Sequence, residues 1–156
     1  MQMRTRARYS LRMMLAIARL STRGDPVGLR DVSMHCGVSR RYLEQLVGPL
    51  RNASLVRSVS GRGGGYSLAR NSDEIKIGDI FEAAIGPIAV TECAVRPETC
   101  IHHQYCNCVA LYRLINHRIN QVLDKYTLAD LMDRHGSGKI LEEINGPEQK
   151  KRQAAR

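Results

Sequence analysis

Residues 29–50 read LRDVSMHCGVSRRYLEQLVGPL, and the pattern inside them decides the fold. Leu29, Val32 and Cys36 recur at the three- and four-residue steps of one helical face, Gly37 stops that helix, and Ser39 stands where an N-cap would start the next. Leu43, Leu46, Val47 and Leu50 then form the inward stripe of a second helix. Two short helices joined by a turn containing glycine make a helix-turn-helix, whose second helix enters the DNA major groove with its N-terminal residues nearest the bases. Ser39, Arg40, Arg41, Tyr42, Glu44 and Gln45 lie at that end and off the apolar stripe, so they are the candidate base-reading residues. Gly48-Pro49 is a local conflict, because proline removes a helical hydrogen bond and crowds the preceding turn; a kink or stop is expected there.

On the N-terminal side, residues 8–20 carry Leu11, Met14, Leu15 and Ala18 at the spacing of an amphipathic helix, which Gly24-Asp25-Pro26 breaks. On the C-terminal side the period changes to two. Residues 55–59 and 66–69 are short strand candidates flanking Ser60-Gly61-Arg62-Gly63-Gly64-Gly65, a hairpin with an arginine at its tip. Ser60, Arg62, Gly63 and Gly64 are candidate DNA contacts, since glycine lets backbone approach phosphate and an arginine can enter the minor groove. A phosphate-binding enzyme loop is the alternative, and against it stand the lack of a G-x-x-x-x-G-K-[ST] match and of a long apolar strand leading into a glycine-rich helix start.

The charge follows the same division. Residues 1–71 hold 13 arginines, no lysine and 3 acidic residues, whereas residues 72–156 hold 11 basic against 12 acidic ones, although the whole chain of 156 residues is +9. Arginine is the side chain whose planar fork suits phosphate and guanine edges. No apolar run reaches the ~18 residues of a membrane span, so no membrane partner is expected. The absence of a secretory n-region and h-region makes the chain read as cytoplasmic.

Beyond residue 71 the periodicity predicts a short helix over 77–85 ending at Gly86-Pro87, then a longer one from about Asn107 to Tyr126. The longer helix carries Leu111, Ile115, Ile119, Val122 and Tyr126, with Leu114 and Leu123 widening the stripe; this face packs either on its own domain or on a partner. A last short helix ends within 130–135, and a polar, disordered tail is expected over 136–156, with Lys150, Lys151 and Arg152 in it. The expected fold is mainly α with a small β-wing. It divides into a winged helix-turn-helix over 1–71 and a cysteine loop with a long helix over 72–135.

Four cysteines fall between these helices as Cys93-x6-Cys100-x5-Cys106-x-Cys108. In a cytosolic chain, crowded thiols bind metal or do redox chemistry more often than they form structural disulfides. Iron-sulfur clusters take four ligands, with thiolate the usual choice. Cys108 is the nearest fourth thiolate after Cys93, Cys100 and Cys106, provided that the long helix begins after Cys106; His102 or His103 are the alternatives. Zinc is a rival, but its motifs bring ligands in closer C-x2-4-C pairs. A metal-free thiol switch through Cys106 and Cys108 is another. Cys36 reads as a small buried hydrophobe. A small redox enzyme or electron carrier is the distant alternative, with no recognisable catalytic constellation and no use for an arginine-rich helix-turn-helix.

Arg8-Tyr9, the run from Val38 to Leu46, Gly61-Arg62-Gly63-Gly64-Gly65-Tyr66, and the run from Thr127 to Leu131 together resemble the Rrf2 family of bacterial winged-helix regulators, over roughly residues 3–135. The resemblance implies a homodimer on palindromic double-stranded operator DNA, no enzymatic activity, and a two-iron or four-iron cluster that sets DNA affinity. It makes Cys93, Cys100 and Cys106 the three cysteine ligands and the long helix the dimerisation helix. The family's fourth-ligand positions fall here on Val109 and Arg8, so neither carries over. Arg41 stands where relatives can carry a serine, and the wing has Ser60 and Arg62 where an arginine followed by proline can occur.

Overall fold

The computed structural model describes residues 5–21, 24–102, 105–132 and 134–146. In chain order the elements are α1 (Thr5–Leu20), α2 (Leu29–Cys36), α3 (Arg40–Asn52), β1 (Val56–Val59), β2 (Gly65–Leu68) and α4 (Ile77–Ile85). There follow α5 (Glu92–Val95), a 3-10 turn (Pro97–Thr99), α6 (Cys108–Lys125), α7 (Leu128–Met132) and α8 (Arg134–Ile144). The strands pair antiparallel with Val56 opposite Leu68 and Val59 opposite Gly65. The architecture is the expected mainly helical one with a two-stranded wing. Among the described residues no helix is long and apolar enough to cross a membrane.

The core sits around α1. Met13, Met14 and Ile17 are sealed from solvent together with Leu43, Leu46 and Leu50 of α3, Leu55, Ile75, Ile80 of α4 and Leu128 of α7. Each such side chain contributes about 1.5–3 kcal/mol relative to an exposed one. Because α4 and α7 complete this core, the division at residue 71 is one of charge rather than of packing. The same centrality corrects the α1 stripe. Met14 is buried as expected, but the deepest face is Ala7, Ser10, Met13 and Ile17, with Leu11, Leu15 and Ala18 packed at its margin, because neighbours surround the helix on several sides.

Two further expectations meet corrections. Helix α3 does not stop at Gly48-Pro49 but runs on to Asn52; burial of Val47 and Leu50 on either side offsets the hydrogen bond that Pro49 cannot donate. The tail expected to be disordered from 136 is helical as far as Ile144, where Glu143 meets Lys125 at 2.5 Å and the Tyr126 hydroxyl. Residues 147–156, with Lys150, Lys151 and Arg152, lie outside the described residues. The remaining helix boundaries agree with the periodicity: α2 stops at Gly37, α4 at Gly86, and α7 is capped reciprocally by Thr127 and Asp130.

One seam ties the segment that follows the wing to the far end of the long helix. The Ile77 amide donates to the Tyr126 carbonyl at 3.0 Å, and the Leu128 amide donates to the Ile75 carbonyl at 2.8 Å. The C-terminal end of α6 is thereby fixed to the start of α4.

Candidate functional site

The turn between α2 and α3 is built tightly. Gly37 sits at φ 66°, ψ 33°, the left-handed region that closes a helix and that glycine occupies without penalty. The Ser33 hydroxyl donates to the Val38 carbonyl at 2.7 Å, and Ser39 caps α3 by accepting from the Tyr42 amide at 3.4 Å. Ser39, Arg40, Arg41, Glu44 and Gln45 are exposed on the leading turns of α3. Arg40 is held by Glu44 at 3.1 Å, one helical turn along, whereas Arg41 has no ion pair among the described residues.

Tyr42 is half-buried and meets Tyr9 of α1 edge-on, with ring centres 5.8 Å apart and planes at 83°. The guanidinium carbons of Arg8 and Arg12 stand 5.0 Å and 5.8 Å from the centre of the Tyr9 ring. On the wing, Ser60, Arg62 and Gly63 are exposed at the tip and Gly64 is half-buried. Arg57 donates across the ladder to Ser67 at 2.9 Å. Val27 and Tyr66 exchange backbone hydrogen bonds of 2.8 Å and 2.9 Å, and a side chain at Gly65 would run into the Val27 backbone. The tip-side end of β2 is therefore anchored to the segment that leads into α2, and only the turn beyond it projects.

The cysteines lie on different pieces of one loop. Cys93 is in α5, with its sulfur 3.2 Å from the Thr91 hydroxyl; Cys100 follows the 3-10 turn; Cys106 precedes α6, which Cys108 opens. Cys93, Cys100 and Cys106 are half-buried thiols and Cys108 is exposed, while Cys36 is buried in the core as expected. His102 is exposed in a turn, and His103 lies outside the described residues. Among the described residues no three His, Cys, Asp or Glu side chains are gathered as a metal site. The donor chemistry of four cysteine thiols suits an iron-sulfur centre, but among the described residues the sulfurs are not gathered at one point.

Sequence reasoning missed Asn116. It is the buried residue of α6, and its side-chain carbonyl accepts the Val90 amide at 3.1 Å, fastening the strand of loop that leads to Cys93. The signal was a polar residue four after Tyr112 and seven before Leu123, both half-buried, on the inward stripe. The opposite face of α6 presents Leu111, Leu114, Ile115 and Val122 to solvent.

A family model described as an iron-dependent transcriptional regulator, Rrf2, matches residues 3–134. The chain belongs to the Rrf2 family. The transcriptional regulator IscR of Pectobacterium atrosepticum is 38% identical over 133 residues, covering 85% of this chain and 80% of the relative. Among solved structures, the global cysteine regulator CymR of B. subtilis is similar at 35% identity and TM-score 0.66, covering 85% of this chain and 96% of that one. T. potens IscR is similar at 32% identity and TM-score 0.66, covering 85% and 86%. The Rrf2 relatives are transcriptional regulators rather than enzymes, and so is this chain. Its winged helix-turn-helix is the one those structures share.

Proposed function

We propose that this Rrf2 regulator acts as a homodimer on palindromic operator DNA, and that an iron-sulfur cluster held by its cysteine loop sets the DNA affinity. The observation that carries the reading is the exposed apolar face of α6. Leu111, Leu114, Ile115 and Val122 lie at helical spacing on an element whose first residue is Cys108. The surface that a second copy covers and the loop that ligation would order thus belong to one helix. An isologous pairing of α6 puts two copies of α3 about one DNA turn apart, near 34 Å.

Toward DNA, Ser39 fixes the leading turn of α3, Arg41 and Gln45 face the base edges, and Arg62 at the wing tip meets the backbone or the minor groove. Toward the sensor, Cys93, Cys100 and Cys106 would hold the cluster, with Cys108 as the fourth thiolate. Cys106 lies off the helix that Cys108 opens, so the two sulfurs are not forced onto opposite helix faces. When bound, a cluster supplies a centre that oxygen, nitric oxide or iron shortage can remove. Ligation by Cys93 on α5, Cys100 after the 3-10 turn, Cys106 before α6 and Cys108 at its start would draw separate pieces of chain together. The Asn116 bond to Val90 passes that order to the dimerisation helix. The ligated form is the tighter DNA binder, by a coupling of about 1–3 kcal/mol.

The test is iron, acid-labile sulfide and zinc per chain in protein purified without oxygen, followed by operator titration before and after chelation. Iron with sulfide and a loss of affinity on stripping is the expected result. Equal affinities would remove the coupling, and zinc or no metal would replace the cluster with a structural site or a thiol switch.

A further inference from the structure

The arginines beside the helix-turn-helix are not all alike. Arg19 of α1 is used inside the fold, its guanidinium donating to the Leu131 carbonyl at 3.2 Å. Arg8 and Arg12 are exposed, one turn apart on the same face of α1, and neither has an ion pair among the described residues. Both guanidinium groups stand by the Tyr9 ring, whose partner Tyr42 belongs to the first turn of α3. Arg12 also reaches the helix-turn-helix turn itself, its terminal nitrogen 3.8 Å from where a side chain on Gly37 would begin. Two cations are therefore placed at the entrance of the recognition helix by an aromatic pair rather than by carboxylates. Stacking on an aromatic ring restricts an arginine without neutralising it, and leaves its N–H groups available to an anion.

We propose that Arg8 and Arg12 form a phosphate clamp on α1, gripping the DNA backbone strand that flanks the groove entered by α3. The inference rests on the DNA-binding reading above and deepens it. A clamp of this kind sets the register of α3 and carries no base information. Arg6 is the internal control, since it lies about 200° around the helix from Arg8 and faces away from the clamp.

The experiment is duplex binding as a function of salt, with the intact protein, an operator fragment and an unrelated fragment. The Arg8→Gln/Arg12→Gln pair is expected to weaken both complexes alike and to lower the slope of log affinity against log salt by about 0.9 for each phosphate that is no longer neutralised. Arg6→Gln is expected to keep the wild-type slope. A wild-type slope in the double variant, with unchanged circular dichroism, overturns the clamp while leaving the DNA-binding reading intact. A loss confined to the operator fragment overturns it too, because the arginines would then be reading bases. Wild-type protein without salt-dependent duplex binding overturns the DNA-binding reading and the clamp together.

Discussion

Helices α3 and α6 carry the same kind of apolar stripe and dispose of it in opposite ways. In α3, Leu43, Leu46, Val47 and Leu50 are at most 5% exposed, closed over by α1 and α4. In α6, Leu111, Leu114, Ile115 and Val122 are 38% to 56% exposed, while the residue that faces inward is an asparagine. One stripe is completed by its own chain, and the other offers a surface for something else to complete. The first makes a packed platform for the helix-turn-helix; the second leaves an apolar face which, on the homodimer reading proposed above, a second copy covers in proportion to concentration.

The largest effect that separates them is on folding. Leu43→Ala is expected to cost about 2–5 kcal/mol in urea unfolding, the usual range for a leucine truncated in a sealed core. Leu111→Ala is expected to change the unfolding of a dilute protomer by less than about 0.5 kcal/mol and to weaken self-association in sedimentation. A loss at Leu111 as large as that at Leu43 would mean that α6 is closed within the chain. Next come the DNA contacts. Arg41→Ala is expected to lose about 1–3 kcal/mol of discrimination at one base position, whereas Arg62→Ala lowers affinity evenly across sequences. Identical sequence profiles for Arg41→Ala and the wild type in a panel of operator variants would remove that end of α3 from base reading.

A smaller effect tests the asparagine. Asn116→Ala is expected to cost about 1 kcal/mol by orphaning the Val90 amide, and to speed hydrogen exchange at Val90 without touching the amides of α3. Equal acceleration in α3 would show that the platform and the loop unfold as one unit. The smallest effect concerns α8. Hydrogen bonds from Lys125 and then Tyr126 hold the Glu143 carboxyl below the ordinary carboxylate range. A depressed value in the folded state means that this tie is fully present above the unfolded glutamate value, about 4.3, and is lost as pH falls through the folded one. Exchange protection in α8 is therefore expected to drop in acid, and Glu143→Gln to abolish that pH dependence.

The platform was legible in the sequence because its signals are local. Gly37 ends a helix for a backbone reason, Ser39 begins one by capping, and the apolar positions of α2 and α3 are those that the period marks. Pro49 misled because its cost is local whereas the burial of Leu50 that offsets it is tertiary. The α1 stripe shifted for a related reason: a helix wrapped by several neighbours buries more than one face, and a single period cannot say which is deepest. The tail helix α8 was hidden because its tie to Lys125 and Tyr126 joins residues 17 and 18 apart. At the cysteine loop, the spacing names four thiols but does not say how the chain sets them in space, because α5, the 3-10 turn and α6 divide the segment.

The seam between Ile75, Ile77, Tyr126 and Leu128 gives α6 a fulcrum. With 18 residues, the helix is a rod about 27 Å long, fixed at its far end and carrying Cys108 at its near end. A displacement of about 2 Å at the cysteine end corresponds to a tilt of roughly 4° about that fulcrum, within the 1–2 Å helix shifts by which switching proteins move. On the sensor reading proposed above, a change at the cysteine end would reach the start of α4 as a small rotation about the seam.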